Sequence, residues 1–327
     1  MKRSGRLMMA ANVVTLANVT FALITGLLFG FLCSLILSRT QNGSGDFAWA
    51  LRAGRDLVSG RDPYAYPTGP YNIPYPLPAA FFALPVTWLE DTVAAGVFFG
   101  ASCSLLTWLI LSRGARWQLL ILLSWPFVYS LIYAQWSPLI LCLYFMPAFS
   151  MLVLVKPQIA LPLALTKIPD RWAIGLTAIV GVISLLIYPS WPIVWFRGIS
   201  AYQGILPPLL VLPLGPLMFL ALFRYRERRA WILFLMAAMP QRVLYDQLAL
   251  LLVAKNRREI LVLLLFSWAT FPALLIFHGW TKLPGGWQLW IQLTLYLPAL
   301  VVLLAPPITS RLRATITKAP QVNSSGE

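Results

Sequence analysis

Apolar runs that approach or exceed the ~20 residues needed to cross a bilayer recur along this chain, and only 11% of its residues are charged. A soluble domain of this length carries far more charge. Hydrophobic residues make up 59% of the sequence, and the mean hydropathy is +0.76. The expected fold class is all-α: a polytopic transmembrane helical bundle. Apolar runs and flanking charges give about ten crossings, near 19–38, 91–112, 117–134, 137–154, 172–189, 207–223, 230–240, 244–254, 260–277 and 288–306, with both termini inside.

The net charge of +15 would suit nucleic acid, but its placement argues for a membrane instead. On this topology the inside segments hold seventeen Lys and Arg residues, among them Arg113, Arg116, Arg224, Arg226, Arg228, Arg229, Lys255, Arg257 and Arg258. The outside segments hold seven: Arg39, Arg52, Arg55, Arg61, Arg197, Arg242 and Lys282. That asymmetry follows the positive-inside rule, and the basic surface suits anionic lipid headgroups. Membrane lipids are therefore expected partners, and nucleic acid is not.

One membrane domain is expected over 1–318, with a disordered tail at 319–327. The first span, Val19 to Leu37, reads as a retained signal anchor. Two places look broken. Lys156-Pro157-Gln158 interrupts an apolar run, where a proline frees carbonyls that need protein or water partners. The stretch 230–254 is too short for two full helices around Pro240-Gln241-Arg242 and reads as two half-length helices.

Within the first outside loop, 39–90, the stretch from Gly45 to Pro85 holds three of only ten acidic residues: Asp46, Asp56 and Asp62. Phe47, Ala50, Leu51, Gly54, Leu57 and Val58 keep helical spacing, with Arg52, Arg55, Asp56 and Ser59 on the other face. That predicts an amphipathic helix along the interface, with Asp46 at its N-terminus and Gly60 just past its end. A second short helix, about Leu77 to Leu89, returns the chain to the membrane.

Each candidate functional residue has a structural alternative. Asp46 can act as a general base on a hydroxyl, or only cap the helix. Asp62-Pro63-Tyr64 reads as a capped turn or a binding element, and Tyr75 as an interfacial anchor or a binding group. Lys156 either snorkels to the inner surface or lines a cavity where it holds a lipid phosphate, with Gln158 adding a neutral hydrogen-bonding group. Arg242 and Asp246, four apart, form a helical ion pair, or Arg242 clamps a phosphate. Gln135 binds a sugar hydroxyl or caps a helix end.

No Walker loop, dinucleotide fingerprint, HExxH or CxxC is present, and no cofactor or metal site is expected. Cys33, Cys103 and Cys142 fall in apolar runs and read as packing residues. The lone His278 has no histidine partner.

The order GDF…AGRDLVSGRDPY…YPLP in the first outside loop, AQWSP after the third span, KPQ in a broken helix and a late PQRVLYDQL resembles the polytopic GT-C glycosyltransferases. The nearest branch is the polyprenyl-phosphate-mannose-dependent mannosyltransferases, of the kind that elongate phosphatidylinositol mannosides. The resemblance covers about Asp46 to Asp246. It implies a bacterial plasma-membrane enzyme with its active site outside, a polyprenyl-phosphate sugar donor, and a lipid or glycan acceptor. Asp46 would be the base of an inverting displacement; charge and placement, rather than the resemblance, nominate Arg242 and Lys156 to meet the departing phosphate. The family usually has Gly-Gln and then an Asn two residues on, where this chain has Ala134-Gln135-Trp136-Ser137. A lipid-linked-sugar flippase and an inactive membrane scaffold are the alternative readings.

Overall fold

The structure is a computed structural model that describes residues 2–66, 74–167, 169–200, 206–240, 246–271 and 286–305. Every element among the described residues is helical. The principal α-helices are α1 (Lys2–Thr40), α2 (Ala48–Val58), α3 (Pro78–Ala83), α4 (Asp91–Ser112), α5 (Trp125–Ile132), α6 (Ser137–Phe145), α7 (Pro157–Leu165), α8 (Arg171–Ile187), α9 (Trp191–Ser200), α10 (Arg228–Ala238) and α11 (Arg257–Trp268). Stretches of 3-10 helix lie between them at Arg116–Leu123, Pro147–Leu154, Gly215–Arg224 and Asp246–Val253. The chain closes on Gly286–Ile291, a π-helical turn at Gln292–Tyr296, and Leu297–Leu304.

Two described helices are long and apolar enough to cross a membrane, Thr15–Thr40 and Asp91–Ser112. A third crossing is possible if α8 and Trp191–Ile199, bent by 95° at their junction, count as one broken span. Among the described residues, the other apolar runs form shorter helices. Prolines explain much of this, because a proline sits at the first or second position of α5, α6, α7, Pro147–Leu154 and Gly215–Arg224. Proline fits the first helical turn but breaks a helix that would run through it.

The segment 137–154, read above as one crossing, is instead α6 followed by 3-10 helix. A continuous helix of that length would span ~27 Å. Lys156, just beyond it, places its Nζ 3.1 Å from Oε1 of Gln135, just before it. The chain therefore turns back near Met146-Pro147. The expected break at Lys156 is present: the residue has φ −142° and ψ 76°, and Pro157 begins α7.

The helices α1 and α4 form an antiparallel pair that packs at glycine contacts. A Cβ on Gly26 would lie 2.6 Å from the carbonyl of Gly100, and one on Gly30 would lie 2.7 Å from that of Gly96. Backbones this close are the small-residue mode of helix packing in lipid. Gly100→Val is expected to destabilise the protein by roughly 2 kcal/mol through forced separation of the helices. The check is its unfolding midpoint in detergent beside that of Gly175→Val, since Gly175 has open space around it.

Polar groups collect at two opposite ends. One end holds the close of α1, the α2–α3 loop, the start of α4 and the start of α6. Arg55 ties this corner: its guanidinium bonds to Asp91 Oδ1 at 2.6 Å and to the carbonyls of Thr87 at 2.9 Å and Leu89 at 2.7 Å. At the other end, Arg113 donates to the Phe145 carbonyl. Arg228 lies over the Tyr144 ring and reaches Thr166. Arg229, only 8% exposed, pairs with Glu227 and Glu259 and reaches the carbonyls of Val253 and Leu303.

Burial alone would raise the Glu227 carboxyl, but hydrogen bonds from Lys255 and Arg229, with their charges, outweigh it and hold the group down at about 2. A depressed carboxyl stabilises the fold above its ordinary value of 4.5, and that share is lost as pH falls from there through about 2. Denaturation midpoints across this window should therefore fall more steeply for the wild type than for Glu227→Gln.

Candidate active site

Asp46 was expected at the N-terminus of the interfacial helix, where it could act as a cap. It lies instead in a 3-10 turn, Gly45–Phe47, and α2 starts with no side-chain cap bond. The carboxylate is thus released from the capping role. Its position comes from the backbone: the Asp46 N–H donates to the Tyr133 carbonyl at 2.8 Å. Gly45, at φ +57°, allows that approach, since a Cβ there would lie 2.5 Å from the same carbonyl oxygen. Only glycine meets both demands without strain.

The helix α2 also turns differently from the expected pattern. Ala50, Leu51 and Gly54 are buried as predicted, but Val58 is 68% exposed and Asp56 only 1%. Asp56 moves inward because Arg61 reaches back to it, Nε to Oδ1 at 2.8 Å. The Arg61 N–H also closes the helix end on the Asp56 carbonyl, with Gly60 at φ +68°. The predicted Gly60 terminus is present, and the second helix appears as α3 followed by a 3-10 turn at Leu84–Val86.

Around Asp46 the fold gathers residues from four distant segments. Tyr75 donates its phenol proton to Asp46 Oδ2 at 3.2 Å. Lys156 Nζ stands 3.9 Å from the same oxygen, 3.2 Å from Asp246 Oδ1, and 3.1 Å from Gln135 Oε1. Lys156 is 1% exposed and Asp246 0%, while the Asp46 side chain keeps 24% exposure. A buried lysine joins two carboxylates, and one of these opens to the surface. Lys156 does not snorkel. Burying an ammonium is costly unless it is paired and hydrogen-bonded, and here three groups from other segments meet it.

The other predicted residues fall in different places. Asp62 makes the expected turn, its Oδ1 accepting from the Tyr64 N–H at 2.8 Å. Tyr64 links that turn to the cluster by donating to the Tyr75 carbonyl at 2.9 Å, and burial pushes its phenol well above its ordinary value. Its ring lies against Trp49 and Tyr188, 5.3 and 5.6 Å between centroids. Gln158 stands half-buried in the first turn of α7. Arg242 lies outside the described residues, as does its proposed pairing with Asp246, and so does His278. The three cysteines are buried and unbridged, as expected of packing residues.

Two features escaped the sequence reading. The first is the contact of Asp246 with Lys156, where the sequence had offered Asp246 only a local pairing with Arg242. The signal was available: a lysine in an apolar run needs an acid at similar depth, and few of the ten acids lie in such runs. The second is Trp136, fully buried beneath the cluster, with its ring 4.7 Å from Phe98 and 6.0 Å from Tyr75.

Chemically, the arrangement offers one accessible carboxylate oriented by a phenol and an ammonium. That can accept a proton from a hydroxyl. Among the described residues no group of three or more His, Cys, Asp or Glu is placed to hold a metal ion. Comparisons with protein-family models, curated proteins and solved structures find no match.

Proposed function

We propose that this chain is an integral membrane glycosyltransferase of a bacterial plasma membrane. It transfers a hexose, with mannose the first candidate, from a polyprenyl phosphate to a hydroxyl on a lipid or envelope glycan. The ten-crossing topology with the arginine end inside belongs to this proposal, and it puts Asp46 at the outer face. One observation carries the reading: Asp46 is a partly exposed carboxylate at the end of an apolar helix long enough to cross a membrane, held by Tyr75 and Lys156. That is where a carrier lipid in the bilayer would meet a polar acceptor.

In the proposed reaction Asp46 takes the acceptor's hydroxyl proton as that oxygen attacks the anomeric carbon. The bond from that carbon to the phosphate oxygen breaks in the same displacement, and the configuration inverts. The polyprenyl phosphate leaves with the bonding pair, and Arg242 is the cation proposed to meet it. Lys156, already shared between Asp246 and Asp46, serves to hold the base rather than the phosphate.

The buried Lys156–Asp246 pair also suits a second reading, an ion-coupled flippase for the same lipid-linked sugars. Purified protein in lipid vesicles, offered radiolabelled polyprenyl-phosphate sugars and an envelope-lipid extract, separates the two. Label moving into a new glycolipid supports transfer. Label crossing the bilayer on its original carrier supports the flippase.

A further inference from the structure

The turn Ala134-Gln135-Trp136 carries more order than its place between α5 and α6 requires. Ala134 has φ +49°, one of two non-glycine residues with positive φ among the described residues. An L-residue is strained in that conformation. Surrounding contacts fix it: Ala134 is wholly buried, the Gln135 N–H donates to the Ser130 carbonyl at 2.9 Å, and the Tyr133 carbonyl accepts from Asp46. The strained turn is thus bonded directly to the proposed base.

The strain places two side chains that are each 0% exposed and each left with an unpaired donor. Gln135 uses Oε1 to accept from Lys156, which fixes its amide with Nε2 as the remaining end, and Nε2 has no hydrogen-bond partner. Trp136 Nε1 likewise has none. Buried polar atoms without partners are rare in native proteins and call for an explanation. Here two occur on consecutive residues, beside the cluster that holds Asp46.

We infer that the Ala134–Trp136 turn is a recognition subsite for the hydroxyl oxygens of an uncharged sugar, with Gln135 Nε2 and Trp136 Nε1 as its donors. This rests on the glycosyl-transfer reading above and names which part of the substrate the turn engages. The donors require oxygen acceptors. Two carboxylates facing one ammonium, Asp46 and Asp246 about Lys156, disfavour a phosphate in the same place. The rings of Trp136, Tyr75, Phe47 and Phe98, packed at 4.2–6.0 Å, give the site an apolar wall. Unpaired donors on consecutive residues beside an aromatic cluster suit a ring with hydroxyl edges and a C–H face. A site built to hydrogen-bond a hydroxyl also rejects an analogue that lacks it.

The test uses the full chain in lipid nanodiscs with methyl hexopyranosides of mannose, glucose and galactose, read by saturation-transfer NMR, with inorganic phosphate as competitor. At least one glycoside should bind. Trp136→Phe, which keeps an aromatic ring but deletes the indole N–H, and Gln135→Glu, which keeps the acceptor for Lys156 and deletes the donors, should each weaken it by about tenfold. Ala134→Gly, which relaxes the turn without loss of folding, should weaken it severalfold. Phosphate should not displace the sugar. The inference is overturned if folded wild type binds no glycoside, if phosphate competes, or if all three variants bind as wild type does. Sugar binding without transfer would sustain the subsite and defeat the transferase reading. Transfer with kcat/KM unchanged in all three variants would do the reverse.

Discussion

Asp46→Asn is expected to cut sugar transfer by about a thousandfold while leaving the protein folded and inserted. General-base catalysis contributes roughly 10²–10⁴ in rate, and the amide keeps the shape and the hydrogen bond from Tyr75 without accepting a proton. The loss should fall on kcat, because the acceptor hydroxyl and the sugar still find their contacts. Tyr75→Phe should show a smaller loss, since it removes one donor at 3.2 Å from the carboxylate and leaves the base in place. Both variants should retain the wild-type unfolding midpoint, because the Asp46 side chain is 24% exposed and its backbone bond to Tyr133 is unchanged. Full turnover in a folded Asp46→Asn protein would remove Asp46 from the mechanism and turn attention to transport.

The site was legible in the sequence where its residues were out of place locally. A lysine in an apolar run and an acid at the outer end of the first span are conspicuous because their surroundings make them costly. Lys156, Asp46 and Gln135 could be singled out on that basis. Their mutual contact could not, because it depends on how the pieces between them turn. Pro147 and Pro157 announce breaks, but a proline does not say whether the chain continues across the membrane or reverses. That is why 137–154 reads as a crossing and folds as a return. The same limit hid the contact that Asp246 makes with Lys156. Its neighbour four residues back offered a local partner in Arg242, and a local pair is the simplest assumption until a distant segment is known to be close. In α2 the period predicted most of the buried face, and Asp56 departed from it because of a tertiary contact with Arg61. The C-terminal end of α1 and both ends of α4 were legible because each helix is uninterrupted by proline and bounded there by polar residues, and Glu90 caps α4 through the N–H groups of Thr92 and Val93.

The Lys156–Asp246 pair should give the largest effect on stability, with opposite results for single and double replacement. Asp246→Leu leaves a 1%-exposed ammonium with only the more distant Asp46 carboxylate and the Gln135 oxygen. Breaking a buried pair in this way costs about 3–5 kcal/mol, a large part of the roughly 5–15 kcal/mol that keeps a domain folded. Lys156→Met should cost a similar amount, because it strands Asp246 in the core. The double variant Lys156→Met/Asp246→Leu removes both charges and fills the space with apolar groups, so most of the stability should return. Unfolding midpoints in detergent for the four proteins measure this directly, and equal losses that simply add would show that the two residues do not form a buried pair. The restored double variant then isolates the functional role of Lys156. If Lys156 only holds the fold together, the double variant should transfer sugar at the wild-type rate. If it holds the base, as its 3.9 Å approach to Asp46 suggests, transfer should stay at least tenfold down in a protein of normal stability, since a misplaced base loses rate steeply.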